Sequence, residues 1–137
     1  MRFLLEVIEA SIEAIGAKKV ALRLSPFSYA DTEENQEEVI ALYSMLTKQL
    51  NPLNLSYLHL SHMGDPEPVK FELWKKLRTI YLGNLMLCGD FTKDTAERAI
   101  QNGDADLIAF GRDFIANPDL VDRLKNDWPL AERDRTH

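Results

Sequence analysis

Asn84-Leu85-Met86-Leu87-Cys88-Gly89 and Leu107-Ile108-Ala109-Phe110-Gly111-Arg112 share one pattern: a short, almost unbroken apolar run that stops at a glycine. Runs of this kind suit strands buried on both faces, the usual state of parallel strands joined by helices. Working back along the chain, Leu55 to Leu60 is a third such run. Val20-Ala21-Leu22-Arg23-Leu24 is a fourth, closed by Ser25-Pro26. The segments between them read as helices. Phe3, Leu4, Val7, Ile8, Ile12 and Ile15 recur at three- and four-residue steps, so residues 2–15 form an amphipathic helix that stops at Gly16. Asp31 or Thr32 caps a second helix, with Glu33 and Glu34 in its first turn and Val39, Ile40, Tyr43, Leu46 and Leu50 as its inward stripe. Asn51-Pro52 breaks it. A third helix starts at Asp65-Pro66 and turns Phe71, Trp74, Leu77 and Ile80 inward. Thr92 caps a fourth, with Ala96, Ala99 and Ile100 inward and Asn102-Gly103 as its stop. After a short helical turn, Asn117-Pro118 opens a last helix through about Asn126. The element order is α-β-α-β-α-β-α-β-α, an α/β chain with a parallel sheet.

Bulk properties narrow the setting. With 137 residues, the chain has room for one domain, residues 1–137, around one core. A net charge of −6 and a pI near 5.0 offer no basic stripe to nucleic acid. No apolar run is long enough for a membrane span, and charge interrupts the N-terminal segment too early for a signal peptide. The single cysteine, Cys88, excludes an internal disulfide and suits a reducing cytoplasm. A complete βα barrel takes about 250 residues and eight strands. Four strands make half of one.

In such barrels chemistry gathers at the C-terminal ends of the strands. Gly89 and Gly111 lack a Cβ there, so backbone N–H groups can approach a ligand, although either glycine alone is equally a plain strand end. Arg112 adds a forked cation suited to phosphate. Arg23 interrupts an apolar strand, so it either pairs with a carboxylate or contacts an anionic or electron-rich ligand; the residues alone favour the ion pair. His59 and His62 lie three apart on a strand and face opposite ways, which suits satisfied structural histidines better than a joint metal site. Cys88 reads as a small packing residue, Trp74 and Trp128 as packing residues, and the acidic cluster Asp31, Glu33, Glu34, Glu37 and Glu38 as a solvated helix face.

Taken together these segments resemble a known family. Arg2-Phe3-Leu4-Leu5-Glu6-Val7-Ile8-Glu9-Ala10, then Val20 to Pro26, is similar to the fourth helix and fifth strand of Old Yellow Enzyme-type reductases. Tyr57-Leu58-His59-Leu60-Ser61 resembles their sixth strand, and Cys88-Gly89-Asp90-Phe91-Thr92 the seventh. Ala105 to Arg112 with Phe114-Ile115-Ala116-Asn117-Pro118-Asp119-Leu120 resembles the eighth strand and its helices, the most specific part of the match. The resemblance implies the C-terminal half of a (βα)8 TIM barrel, strands five to eight, truncated relative to the family. It implies FMN as cofactor, with NADPH and enone-type substrates for the complete enzyme. Arg23 would lie against the N1/O2 edge of the flavin ring. Backbone at Cys88 and Gly89, with Gly111 and Arg112, would hold the phosphate.

The family's ring-contacting glutamine, its carbonyl-binding His/His or His/Asn pair and its proton-donating tyrosine belong to early strands, before position 1. No catalytic residue is therefore expected in this chain, and no turnover by it alone. Two open strand edges are association hazards. The expected partner is a second copy, two halves closing into a ring, or a complementary half-barrel.

Overall fold

The computed structural model describes residues 1–27, 36–61 and 68–132. Four strands form one parallel sheet in the order β1-β2-β3-β4: Leu22–Leu24, Leu58–Ser61, Leu85–Cys88 and Leu107–Ala109. Helix α1 spans Arg2–Ile15, α2 Gln36–Leu50, α3 Pro68–Ile80, α4 Lys93–Gln101, α5 Arg112–Ala116 and α6 Leu120–Asn126. Strand order follows chain order without reversal. With right-handed crossovers such a sheet places its helices on one face.

The side chains agree. Leu58, Leu60, Leu85 and Leu87 are buried in one cluster with Ile8 of α1, Leu46 and Leu50 of α2, and Leu73, Trp74 and Leu77 of α3. The alternate positions lie on the other face. Register places Arg23, His59, Met86 and Leu107 in one row across the four strands, and Ser61, Cys88 and Ala109 in the next. Of these only Ser61 is buried. Among the described residues the helix-free face is thus the more exposed one.

Several sequence expectations change. Strand β2 begins at Leu58 rather than Leu55, because a 3-10 turn at Asn51–Leu53 and left-handed Asn54 (φ 52°) redirect the chain first. The α1 stripe is half uncovered: Ile8 is buried, but Phe3 is 79% exposed and Val7 and Ile15 are exposed too. The sheet lies against only part of that stripe. Ile100 and Trp128 are likewise exposed. The expected starts of α2 at Asp31 or Thr32 and of α3 at Asp65-Pro66 lie outside the described residues, as does His62. Glu37 and Glu38 are exposed, as expected.

The last helix also differs. Asn117-Pro118 does not open it; α6 starts at Leu120 after Asp119. Asn117 is instead 1% exposed. Its Nδ2 donates to the Asp113 carbonyl at 3.0 Å, and its Oδ1 accepts from the Ala131 backbone N–H at 2.7 Å. Between α3 and β3, a Cβ on Gly83 would fall 2.9 Å from the ring of buried Tyr81, so a side chain there would have to displace that ring. Thr92 caps α4 as expected, within a reciprocal pair with Thr95.

Candidate functional site

The rim at the C-terminal strand ends gathers most of the residues singled out above. Register aligns Ser61, Cys88 and Ala109 across β2, β3 and β4, so the chain leaves β3 and β4 at the same level. Gly89 and Asp90 follow β3; Phe110, Gly111 and Arg112 follow β4. Phe91 stacks on Trp74 at 6.1 Å, which holds the turn from β3 into α4 in place.

Arg112 is the first residue of α5, and its Nη2 lies 3.4 Å from Asp90 Oδ1. The pair is long and its arginine is 54% exposed, so it contributes a few tenths of a kcal/mol at most, about the lower end for surface ion pairs. Among the described residues Arg112 has no other hydrogen-bond partner. A Cβ on Gly111 would meet nothing within 4 Å, and its φ of −91° is open to any residue. Neither crowding nor strain therefore asks for glycine at 111. What its absence of a side chain does is leave the rim backbone accessible beside Arg112. Half-exposed Cys88 lies in the same strand row as Ser61, on the helix-free face.

Arg23 lies on the same face, one row below Ser61. It is exposed, and among the described residues no carboxylate pairs with it. Among the described residues the ion pair is therefore not found; an exposed guanidinium is solvated and does not need a counter-charge. Arg23 Nε donates to Ser61 Oγ at 3.0 Å, and Ser61 Oγ is hydrogen-bonded to Ser25 Oγ at 2.8 Å. His59, next to Arg23 in register, keeps its Nε2 buried without a partner. Burial, then the adjacent Arg23 charge, pushes its imidazole below the ordinary histidine range, so the ring is neutral near pH 7. That corrects the expectation of a satisfied histidine.

The structure therefore joins Cys88, Gly89, Gly111 and Arg112 at one rim, with Arg23 across β2 on the same face. Ser25 and Ser61 were not singled out from sequence; period-two alternation would have put Ser61 on the Arg23 face had the register been known. This set fits a phosphorylated planar cofactor: a weakly engaged guanidinium beside bare backbone for the phosphate, and a second guanidinium on the same face for the ring. Among the described residues no cluster of His, Cys, Asp or Glu is arranged for a metal ion, and no helix is long and apolar enough to cross a membrane.

The chain is 38% identical to putative 12-oxophytodienoate reductase 11 of Oryza sativa subsp. japonica, over 98% of this chain and 37% of that protein. It is 37% identical to a 12-oxophytodienoate reductase-like protein of Solanum lycopersicum, over 98% of this chain and 36% of that protein. Among solved structures, morphinone reductase in complex with tetrahydroNAD matches with a TM-score of 0.82 at 33% identity, covering 98% of this chain and 36% of that one. The old yellow enzyme from Trypanosoma cruzi matches with a TM-score of 0.82 at 32% identity, covering 96% and 34%. The chain thus spans little more than a third of the relatives it matches. The model of the FMN-dependent NADH:flavin oxidoreductase / NADH oxidase family matches residues 1–131. By that match this chain belongs to the NADH:flavin oxidoreductase / NADH oxidase family.

Proposed function

We propose that this chain is a single half-barrel domain, the strand-five-to-eight arc of an FMN-dependent ene-reductase, which carries one side of the flavin site. The observation that supports this most is the pair of guanidinium groups, Arg23 and Arg112, on the exposed face and rim of a sheet whose strands run in chain order. Such a sheet covers one face with helices and leaves the other for the remainder of a barrel. FMN, when bound, supplies hydride transfer from a nicotinamide to an activated alkene. The chain's own part is to bind: Arg112, with backbone at Gly89, Cys88 and Gly111, holds the phosphate, and Arg23 places positive charge beside the ring.

The names of the relatives point to enone-type substrates such as 12-oxophytodienoate and morphinone. Reduction of such a substrate with NADPH requires a complementary half that brings the carbonyl-binding pair and the proton donor. By itself the chain binds without turnover, in the cytoplasm. Titration of the purified chain with FMN, followed by flavin fluorescence, tests the reading. Saturable quenching is expected, and Arg112→Ala should weaken it about tenfold, the worth of one charge-assisted hydrogen bond to the phosphate. An unaffected titration, or enone reduction by the chain alone, would overturn it.

A second reading is favoured by the exposed apolar groups at the two flanks: Phe3 and Val7 on α1, and Leu107 and Ile115 at the β4 side. On this reading the half-barrel self-associates through its open edges, two copies closing a ring. Light scattering that gives a single monomeric species at micromolar concentration removes it.

A further inference from the structure

Arg23 is exposed, and a long exposed side chain samples many rotamers unless something holds it. Here something does. Ser61, 3% exposed, accepts the Nε–H of Arg23 at 3.0 Å, and its own hydroxyl lies 2.8 Å from Ser25 Oγ. Ser61 is in the row above Arg23, so the bond draws the guanidinium toward the C-terminal rim. Binding through Nε leaves both Nη groups available. Hydroxyls joined in a hydrogen-bonded chain polarise one another, so the Ser25 contact supports the hydroxyl that holds Arg23. His59 beside it is neutral and adds no competing charge.

From this geometry we propose that Ser61, backed by Ser25, is a positioning residue that presents the Nη fork of Arg23 to the flavin. Neither serine needs to touch the cofactor. The proposal rests on the flavin reading above. A fixed fork binds an electron-rich edge without first losing rotamer freedom, so the serines raise affinity by preorganisation.

The experiment compares Ser61→Thr with Ser61→Val in the whole chain. Both are β-branched and of equal size, and only threonine keeps the hydroxyl. Two readouts are taken. In the FMN-free protein, NMR measures hydrogen exchange at Arg23 Nε. The wild type and Ser61→Thr should exchange about tenfold more slowly than Ser61→Val, the usual worth of one hydrogen bond. In the FMN titration, Ser61→Val should bind about tenfold more weakly and Ser61→Thr close to the wild type. Ser25→Ala, which leaves β2 untouched, should show a smaller shift in the same direction and serves if the strand variants fail to fold. Equal Nε exchange in all variants, or equal FMN affinity in Ser61→Val and Ser61→Thr, overturns the proposal. If the wild type takes up no FMN, the flavin reading falls, and Nε exchange still decides whether Ser61 holds Arg23.

Discussion

The middle of the sheet and its flanks follow opposite rules. In β2 and β3, Leu58, Leu60, Leu85 and Leu87 are buried against helices and both edges of each strand are paired. In β1 and β4, one edge has no partner among the described residues, and Arg23 and Leu107 are exposed. Apolar burial is complete at the centre and partial at the flanks, where Leu22, Leu24 and Ile108 pack against the core but are only partly buried. Asn117 ties α5 to the segment after α6, and Thr92 ties down the start of α4. A short parallel sheet can thus be core-like and surface-like within two strands.

Mutations should separate the two regimes, beginning at the centre. Leu60→Ala removes a fully buried side chain and should cost about 3 kcal/mol in a urea titration. A cost as small as a surface change would mean that the centre is no more packed than the edge. Asn117→Ala strands the Ala131 N–H, while the Asp113 carbonyl keeps the Asn117 backbone N–H, and should cost about 2 kcal/mol. If it behaves like a surface site, the C-terminal flank has other anchors. Thr92→Ala removes a helix cap and should cost about 1 kcal/mol. Ile115→Ser, at a position 85% exposed, should stay within about 0.5 kcal/mol in dilute solution. A larger loss that grows with protein concentration would place Ile115 in a contact between copies.

The fifth test is a slope with pH. His59 has its folded-state pKa below the ordinary 6.5, through burial and then the Arg23 charge. The unfolded chain takes up the proton first as pH falls, so His59 lowers stability from about pH 6.5 downward and has no effect above it. Urea midpoints of His59→Gln should therefore lose part of the wild type's decline between pH 7 and pH 5.5 or so. An unchanged decline would show that His59 titrates alike in both states.

The four strands and the main helices were legible from apolar runs and their spacing, and the rim from glycines such as Gly89 and Gly111. What covers an apolar stripe was not. Periodicity identifies Phe3 and Val7 as members of one helix face but carries no information about whether a neighbour lies against it. Arg23 shows the same limit. An arginine in an apolar run looks buried, and only the register with His59 and Ser61 reveals an open face with a neutral acceptor. Asn117 reads as a helix boundary because Asn-Pro usually is one. The use of its amide as a clamp depends on where Ala131 returns, fourteen residues later.

Strand order also bears on how the chain assembles. Leu22 pairs with Leu58, Leu58 with Leu85 and Met86 with Leu107, so the segment enclosed by each pairing shortens along the chain. Closure entropy grows with the length enclosed. The β3–β4 pairing is therefore the least costly to nucleate, and the sheet is expected to grow backward from it, which would organise the rim bearing Gly89 and Arg112 before Arg23 joins it.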